Sequence, residues 1–218
     1  MSEVIELERR VIPLGEYRVT HGPDNGLMQI TPAKHDGAME LFNKMRNDHW
    51  HENEVDMSMD VSCWSSLSDS EKEAYRKALA FLSNLDGMQL HNLQVVSQCL
   101  TSPWYKMAVA RQTFDEAMHV MGYSLMIETM GFDAVETYNM FITDDLLYKK
   151  NRFVKNMNGL VTGDHSIETF IKGTVANQAL EGIMFQSGFL VFYALSEAGK
   201  MHGSAKQIKF IHRYRLAA

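Results

Sequence analysis

SDSEKEAYRKALAFLSNLDGMQLHNLQVVSQCL, residues 68–100, reads as one unbroken helix. Ser68 placed three residues ahead of Glu71 is a capping box, in which each side chain satisfies the other residue's free backbone N–H. Tyr75, Ala78, Leu79, Leu82, Leu85, Met88, Leu93 and Val96 then recur at helical spacing. The run is roughly 30 residues long, or about 45 Å at 1.5 Å per residue. Asp86 lies inside it, among apolar neighbours and far from either cap.

Further helices are expected on both sides. Ser102-Pro103 opens a second long helix that should end near Gly131, because Pro fits the first helical turn and Gly the position past the last. Asp133-Ala134-Val135-Glu136 starts a third, expected to reach about Asn156, and a fourth should run from about His165 to Lys200. A shorter helix from Ser204 to about Leu216 closes the chain. Towards the N-terminus, Thr31 is read as an N-cap with Pro32 at the first helical position, ahead of Met39, Leu41, Phe42 and Met45. Residues 1 to 30 mix charge, Gly and Pro without periodicity and are expected to form an extended arm. Strand alternation is convincing nowhere, so the expected fold is an all-α antiparallel bundle spanning 31–218.

Composition fits a single soluble domain: 218 residues, 45% hydrophobic and 22% charged. A net charge of −6 with no long basic stripe argues against nucleic acid as a partner. Cys63 and Cys99 have no metal-binding spacing, and a reducing compartment is the simpler reading. The charged first ten residues lack a signal-peptide core, and Gly182 to Leu195 is too short to span a membrane. A cytoplasmic location is expected.

Three carboxylates interrupt apolar helix stretches: Asp86, Glu116 and Glu181. Acidic side chains are almost never fully buried without compensation, and a cation in the bundle core is one such compensation. Glu116 and His119 form Glu-x-x-His, one turn apart and about 60° around the helix, so both can address one ion. Tyr123, seven residues past Glu116, returns to within about 20° of the same line. Each residue alone has a plainer reading. Most Glu-x-x-His pairs lie on surfaces, Asp86-Gly87 resembles a helix end, and Phe185, Phe189 and Trp50 are by default packing residues. The order Asp, Glu-x-x-His-x-x-x-Tyr, Glu on successive helices is what matches di-iron bundles, and mixed oxygen and nitrogen ligands suit iron or manganese better than zinc.

Nearly the whole chain resembles the ribonucleotide reductase small-subunit family, the ferritin-like di-iron proteins that generate a radical for a large catalytic subunit. Trp50 with Glu54-Val55-Asp56-Met57-Ser58 is similar to the family's Trp-x-Pro-Glu-Glu-Val-Asp-Leu-Ser segment, with His51 and Asn53 replacing parts of it. Trp64, Leu67 and Glu71 resemble the start of the first ligand helix. Leu85-Asp86-Gly87, then Arg111 through Glu116, His119 and Tyr123, then Leu180-Glu181-Gly182 with Phe185 and Phe189 are similar to the first three ligand motifs. The resemblance implies that Asp86, Glu116 and His119 bind one iron, with Glu116 shared and Glu181 serving the second. It makes Tyr123 the radical site, Phe185, Phe189 and Ile211 its apolar pocket, and Trp50 part of the radical-transfer path. A homodimer, a large-subunit partner and a di-iron or manganese–iron cofactor follow from it.

The fourth motif, Ile-x-Arg-Asp-Glu-x-x-His, is kept only through Ile211-His212-Arg213. Tyr214 stands at the aspartate, Arg215 at the ligand glutamate and Ala218 at the ligand histidine; His212 is in the wrong register to substitute. The chain therefore reads as a C-terminally truncated member, through a frameshift or intron read-through, that is inactive by itself. The competing readings are another ferritin-like di-iron oxidase, against which Tyr123 and the Trp50 segment argue, and a non-catalytic helical fragment.

Overall fold

The computed structural model describes residues 10–158 and 166–215, the side chains of 157, 158, 214 and 215 excepted. The described helices are α1 (Asp36–Asn47), α2 (Ser58–Cys63), α3 (Asp69–Gln98), α4 (Pro103–Thr129), α5 (Ala134–Thr143), α6 (Asp145–Asn158), α7 (Ile167–Ala179), α8 (Phe185–Glu197) and α9 (His202–Arg215). No strand occurs among the described residues, where Thr20 and Leu100 form an isolated bridge. The architecture is the expected all-α bundle.

Local chemistry sets the ends of the two longest helices. At α3 the Ser68 N–H donates to the Glu71 carboxylate at 2.7 Å, and the Glu71 N–H donates back to the Ser68 hydroxyl at 3.3 Å. α4 begins at Pro103 behind the Ser102 cap and closes where Gly131 takes a φ of 66°, a conformation costly for residues with a Cβ. α3 and α4 pack along each other, with α1 on the outside of α4 and with α5 and α8 against α3. The main core joins Tyr75, Leu79, Leu82 and Leu85 of α3 to Tyr123 and Met126 of α4, Phe185, Phe189 and Phe192 of α8, and Ile208 and Ile211 of α9. Each such Leu, Ile or Phe contributes on the order of 1.5–3 kcal/mol by leaving water.

Four expectations change. α1 starts at Asp36 instead of after Thr31, since Trp104 Nε1 donates to the Ile30 carbonyl and holds the preceding chain across α4. Ile12 and Tyr17 are buried with Trp104 and Ala108, so residues of the N-terminal stretch help build a second small core. The third expected helix is two, because the Asp144 side chain accepts the N–H groups of Leu146 and Leu147 and caps a new start. The fourth is α7 and α8 joined by a π-helical turn, Leu180–Met184, with Ser166 as its cap; His165 lies outside the described residues, as does Leu216. The combined run Ile167–Glu197 is long and apolar enough to cross a membrane by length and composition, more than Gly182–Leu195 alone suggests. Its inner face, with Phe185, Phe189, Phe192 and Leu195, is packed in the bundle, as core helices of this composition are, while Ile171, Val175, Ile183 and Leu190 face outwards.

Candidate metal centre

Asp86 comes from the middle of α3, and Glu116 and His119 from the middle of α4. All three are at most 2% exposed, and their ligand atoms lie within 4.8 Å of one another. His119 Nδ1 stands 2.9 Å from Glu116 Oε2. Two atoms bound at right angles to one ion, each at about 2.1 Å, would be about 3.0 Å apart. Two carboxylates and an imidazole in an apolar core carry a large desolvation cost, which a divalent cation offsets. The donor set is therefore chemically fit for one ion of the iron or manganese type.

Glu181 is buried too but is not part of that group. It lies in the π-helical turn, where the extra residue turns its carboxylate inward. Gln89 Nε2 donates to Glu181 Oε1 at 2.9 Å and also to the Asn177 side chain, while Asn92 reaches the Gln89 oxygen at 3.5 Å. Gln89 is three residues past Asp86 and shares its helix face, a spacing that would have exposed it to sequence reasoning. The sequence leads one to expect four side chains on one small volume. The structure groups three of them and sets the Gln89 amide against the fourth. Ala218, at the family's second-histidine position, lies outside the described residues.

Trp50 is buried and nearly parallel to His119, with ring centroids 6.4 Å apart and planes at 19°. It also stacks on Phe210 at 5.7 Å. Gly122 makes this approach possible, because a Cβ there would come within 3.1 Å of the Trp50 ring and 2.8 Å of the Gln207 amide. The same point is 3.5 Å from Ile211 Cδ1, which puts Ile211 beside the residue preceding Tyr123. Tyr123, Phe185, Phe189 and Ile211 belong to one buried cluster.

Two arginines hold the Trp50 loop. Arg111 donates to the Met45 carbonyl at 3.1 Å, with His49 Nδ1 at 3.3 Å, and Arg213 donates to the Asp48 carbonyl at 3.2 Å. Arg111 also pairs with buried Asp115 at 2.6 Å. Burial pushes the Asp115 carboxyl up to about 7, outweighing the pull of Arg111. Asp115 carries no signal in sequence, where it reads as an ordinary helix-surface charge.

Comparisons with known proteins identify the chain's relatives. The family described as "Ribonucleotide reductase, small chain" matches residues 27–216. The ribonucleoside-diphosphate reductase subunit beta of Treponema pallidum (strain Nichols) is 33% identical over 204 residues, covering 93% of this chain and 58% of that protein. The subunit beta of Aquifex aeolicus (strain VF5) is 31% identical, over 99% of this chain and 32% of its own. Among solved structures, the ribonucleotide reductase R2 subunit from Clostridium botulinum superimposes with a TM-score of 0.86 at 28% identity, over 91% of this chain and 63% of that one. The chain thus spans about three fifths of the length of the first of these relatives.

Proposed function

The chain belongs to the ribonucleotide reductase small-chain family, and from that premise we propose that it is the radical-generating component of an aerobic ribonucleoside-diphosphate reductase. Its partner in this reading is a large catalytic subunit that reduces ribonucleotides to deoxyribonucleotides, and its own state is a cytoplasmic homodimer bound to neither nucleic acid nor membrane. The observation that carries the reading is the buried Asp86–Glu116–His119 group within 4.8 Å. Those three residues would hold one ion, with Glu116 shared and Glu181 offered to a second. When bound, iron, alone or paired with manganese, supplies the one-electron oxidant for Tyr123.

The protein's own residues do the rest. Phe185, Phe189 and Ile211 exclude water from the Tyr123 phenol, which protects an oxidised tyrosine from reduction by solvent species. Trp50, stacked on His119, gives the oxidising equivalent a route from the metal-binding helix to the loop held by Arg111 and Arg213. The second position is the weak point. Arg215 and Ala218 stand in sequence where the family has its remaining glutamate and histidine, and Glu181 is engaged by Gln89. This chain by itself is therefore expected to bind one ion and to support no nucleotide reduction; turnover with added large subunit would overturn that. The same amide contact favours a second reading, a non-catalytic helical fragment, which predicts no specific ion at all. Cobalt(II) titration separates the two: bound cobalt should show d–d absorption that disappears in His119→Ala, and an absent or His119-independent spectrum contradicts the first reading.

A further inference from the structure

His212 is set aside by the fourth-motif register, yet it is among the best-anchored polar side chains at the α8–α9 junction. We propose that Tyr193 and His212 form a second oxidisable tyrosine with its own proton acceptor, placed between the Phe185–Phe189 pocket and solvent. Tyr193 Oη is 2.9 Å from His212 Nδ1, and His212 Nε2 is 2.9 Å from the Gln186 side-chain amide. A half-turn of that amide, which leaves its shape unchanged, puts its oxygen opposite Nε2. Nε2–H then donates to Gln186, Nδ1 keeps its lone pair, and the Tyr193 hydroxyl donates to it.

The imidazole also continues an aromatic series. Its ring is 5.1 Å from Phe189, which is 6.1 Å from Phe185, and 5.9 Å from Tyr193 on the other side. Beyond the pair opens a cleft of about 760 Å³ lined by Tyr193, His212, Phe210, Lys206, Lys209 and Arg213. Burial pushes the Tyr193 phenol up to about 12, so it is protonated at neutral pH and must lose a proton when it loses an electron. A hydrogen-bonded base removes that obstacle. One electron passes from the phenol to a one-electron oxidant, the O–H bond breaks, and its proton forms a new bond to His212 Nδ1. A neutral phenoxyl and an imidazolium result, and the surrounding Lys206, Lys209 and Arg213 favour release of that proton to water in the cleft. In the protein the oxidant is the Tyr123 phenoxyl, which takes up that electron together with a proton, matching the one released at His212, and returns to its phenol; this part rests on the proposed function. Tyr193 is then a side exit through which a trapped oxidising equivalent leaves the core.

The test does not need the metal or Tyr123. The purified chain carrying Tyr123→Phe is oxidised by a photogenerated ruthenium(III) complex and freeze-trapped for electron paramagnetic resonance. A tyrosyl signal with an exchangeable-deuteron coupling is expected, lost when Tyr193→Phe is added. His212→Ala, with helicity checked by circular dichroism, should slow its formation on the order of a hundredfold, the range of a general base. Imidazole in the buffer, reaching the vacated position through the cleft, should restore part of the rate. A signal that persists without Tyr193, or a rate indifferent to His212, overturns the proposal; neither result bears on whether Tyr123 carries the radical in the loaded protein.

Discussion

The α3–α4 half and the α7–α9 half of the candidate site bury carboxylates in the same core and compensate them differently. On α3 and α4, Asp86, Glu116 and His119 stand within 4.8 Å, an arrangement that makes chemical sense around a cation. On the other side, Glu181 accepts from the amide of Gln89 at 2.9 Å. That half is fixed by packing and capping instead. The Asp60 carboxylate accepts the N–H groups of Gly203 at 3.0 Å and Ser204 at 2.6 Å, and the Ser204 hydroxyl at 2.6 Å, at the start of α9. Tyr75 of α3 meets the same hydroxyl at 2.7 Å.

The largest expected effect separates the halves directly. His119→Ala should lower affinity for a divalent ion by about a hundredfold or more, judged against the 10–100-fold typical of losing even an outer partner. Glu181→Gln should cost less than about tenfold by the same calorimetric titration. Equal losses would mean that the halves bind together and would break the comparison. Next, Asp60→Ala removes a helix cap and one of the two partners of the buried Ser204 hydroxyl, so it should cost about 2–3 kcal/mol in urea unfolding. Added metal should shift this variant and the parent equally, since the α9 anchor lies outside the ion's reach.

Gly188→Ala sharpens the packing side of the contrast. A Cβ there would fall 2.6 Å from Leu82 Cδ2 in the closed α3–α8 contact, and about 1–3 kcal/mol of destabilisation is expected. Gly182→Ala, with nothing within 4 Å of its Cβ, should be neutral or slightly stabilising in the same assay.

The smallest effect is a pH dependence of the Glu71–Lys200 tie between α3 and the α8–α9 turn. Lys200 and Ser68 hold the Glu71 carboxyl down from its ordinary 4.5 to about 2. A depressed folded-state value stabilises the fold above 4.5 and loses that contribution as pH falls from 4.5 towards 2. Thermal midpoints of the parent should fall relative to Glu71→Gln across that window, and parallel curves would remove the tie from the account.

The long elements were legible because their ends carry local chemistry: the Ser68–Glu71 box, Ser102-Pro103 and Gly131 need no tertiary information. The break at Asp144 was equally local, an Asp capping two following N–H groups, but it was hidden inside a continuous periodic stretch. The late start of α1 depends on Trp104 reaching Ile30, which no window of sequence contains. The same division holds at the site. Glu116 and His119 meet through helix periodicity and Asp86 through the α3–α4 pairing, whereas the Gln89 contact requires the π-helical turn that aims Glu181. Tyr193 and His212 are 19 residues apart and become partners only when α8 folds back on α9.

The central claim is that this chain keeps a binding site for one ion, built by α3 and α4. Equilibrium dialysis of the purified chain against manganese(II), with bound metal counted by mass spectrometry, tests it most directly. The account predicts one ion per chain, lost in His119→Ala and kept in Glu181→Gln. Two ions, none, or one that survives His119→Ala would contradict it.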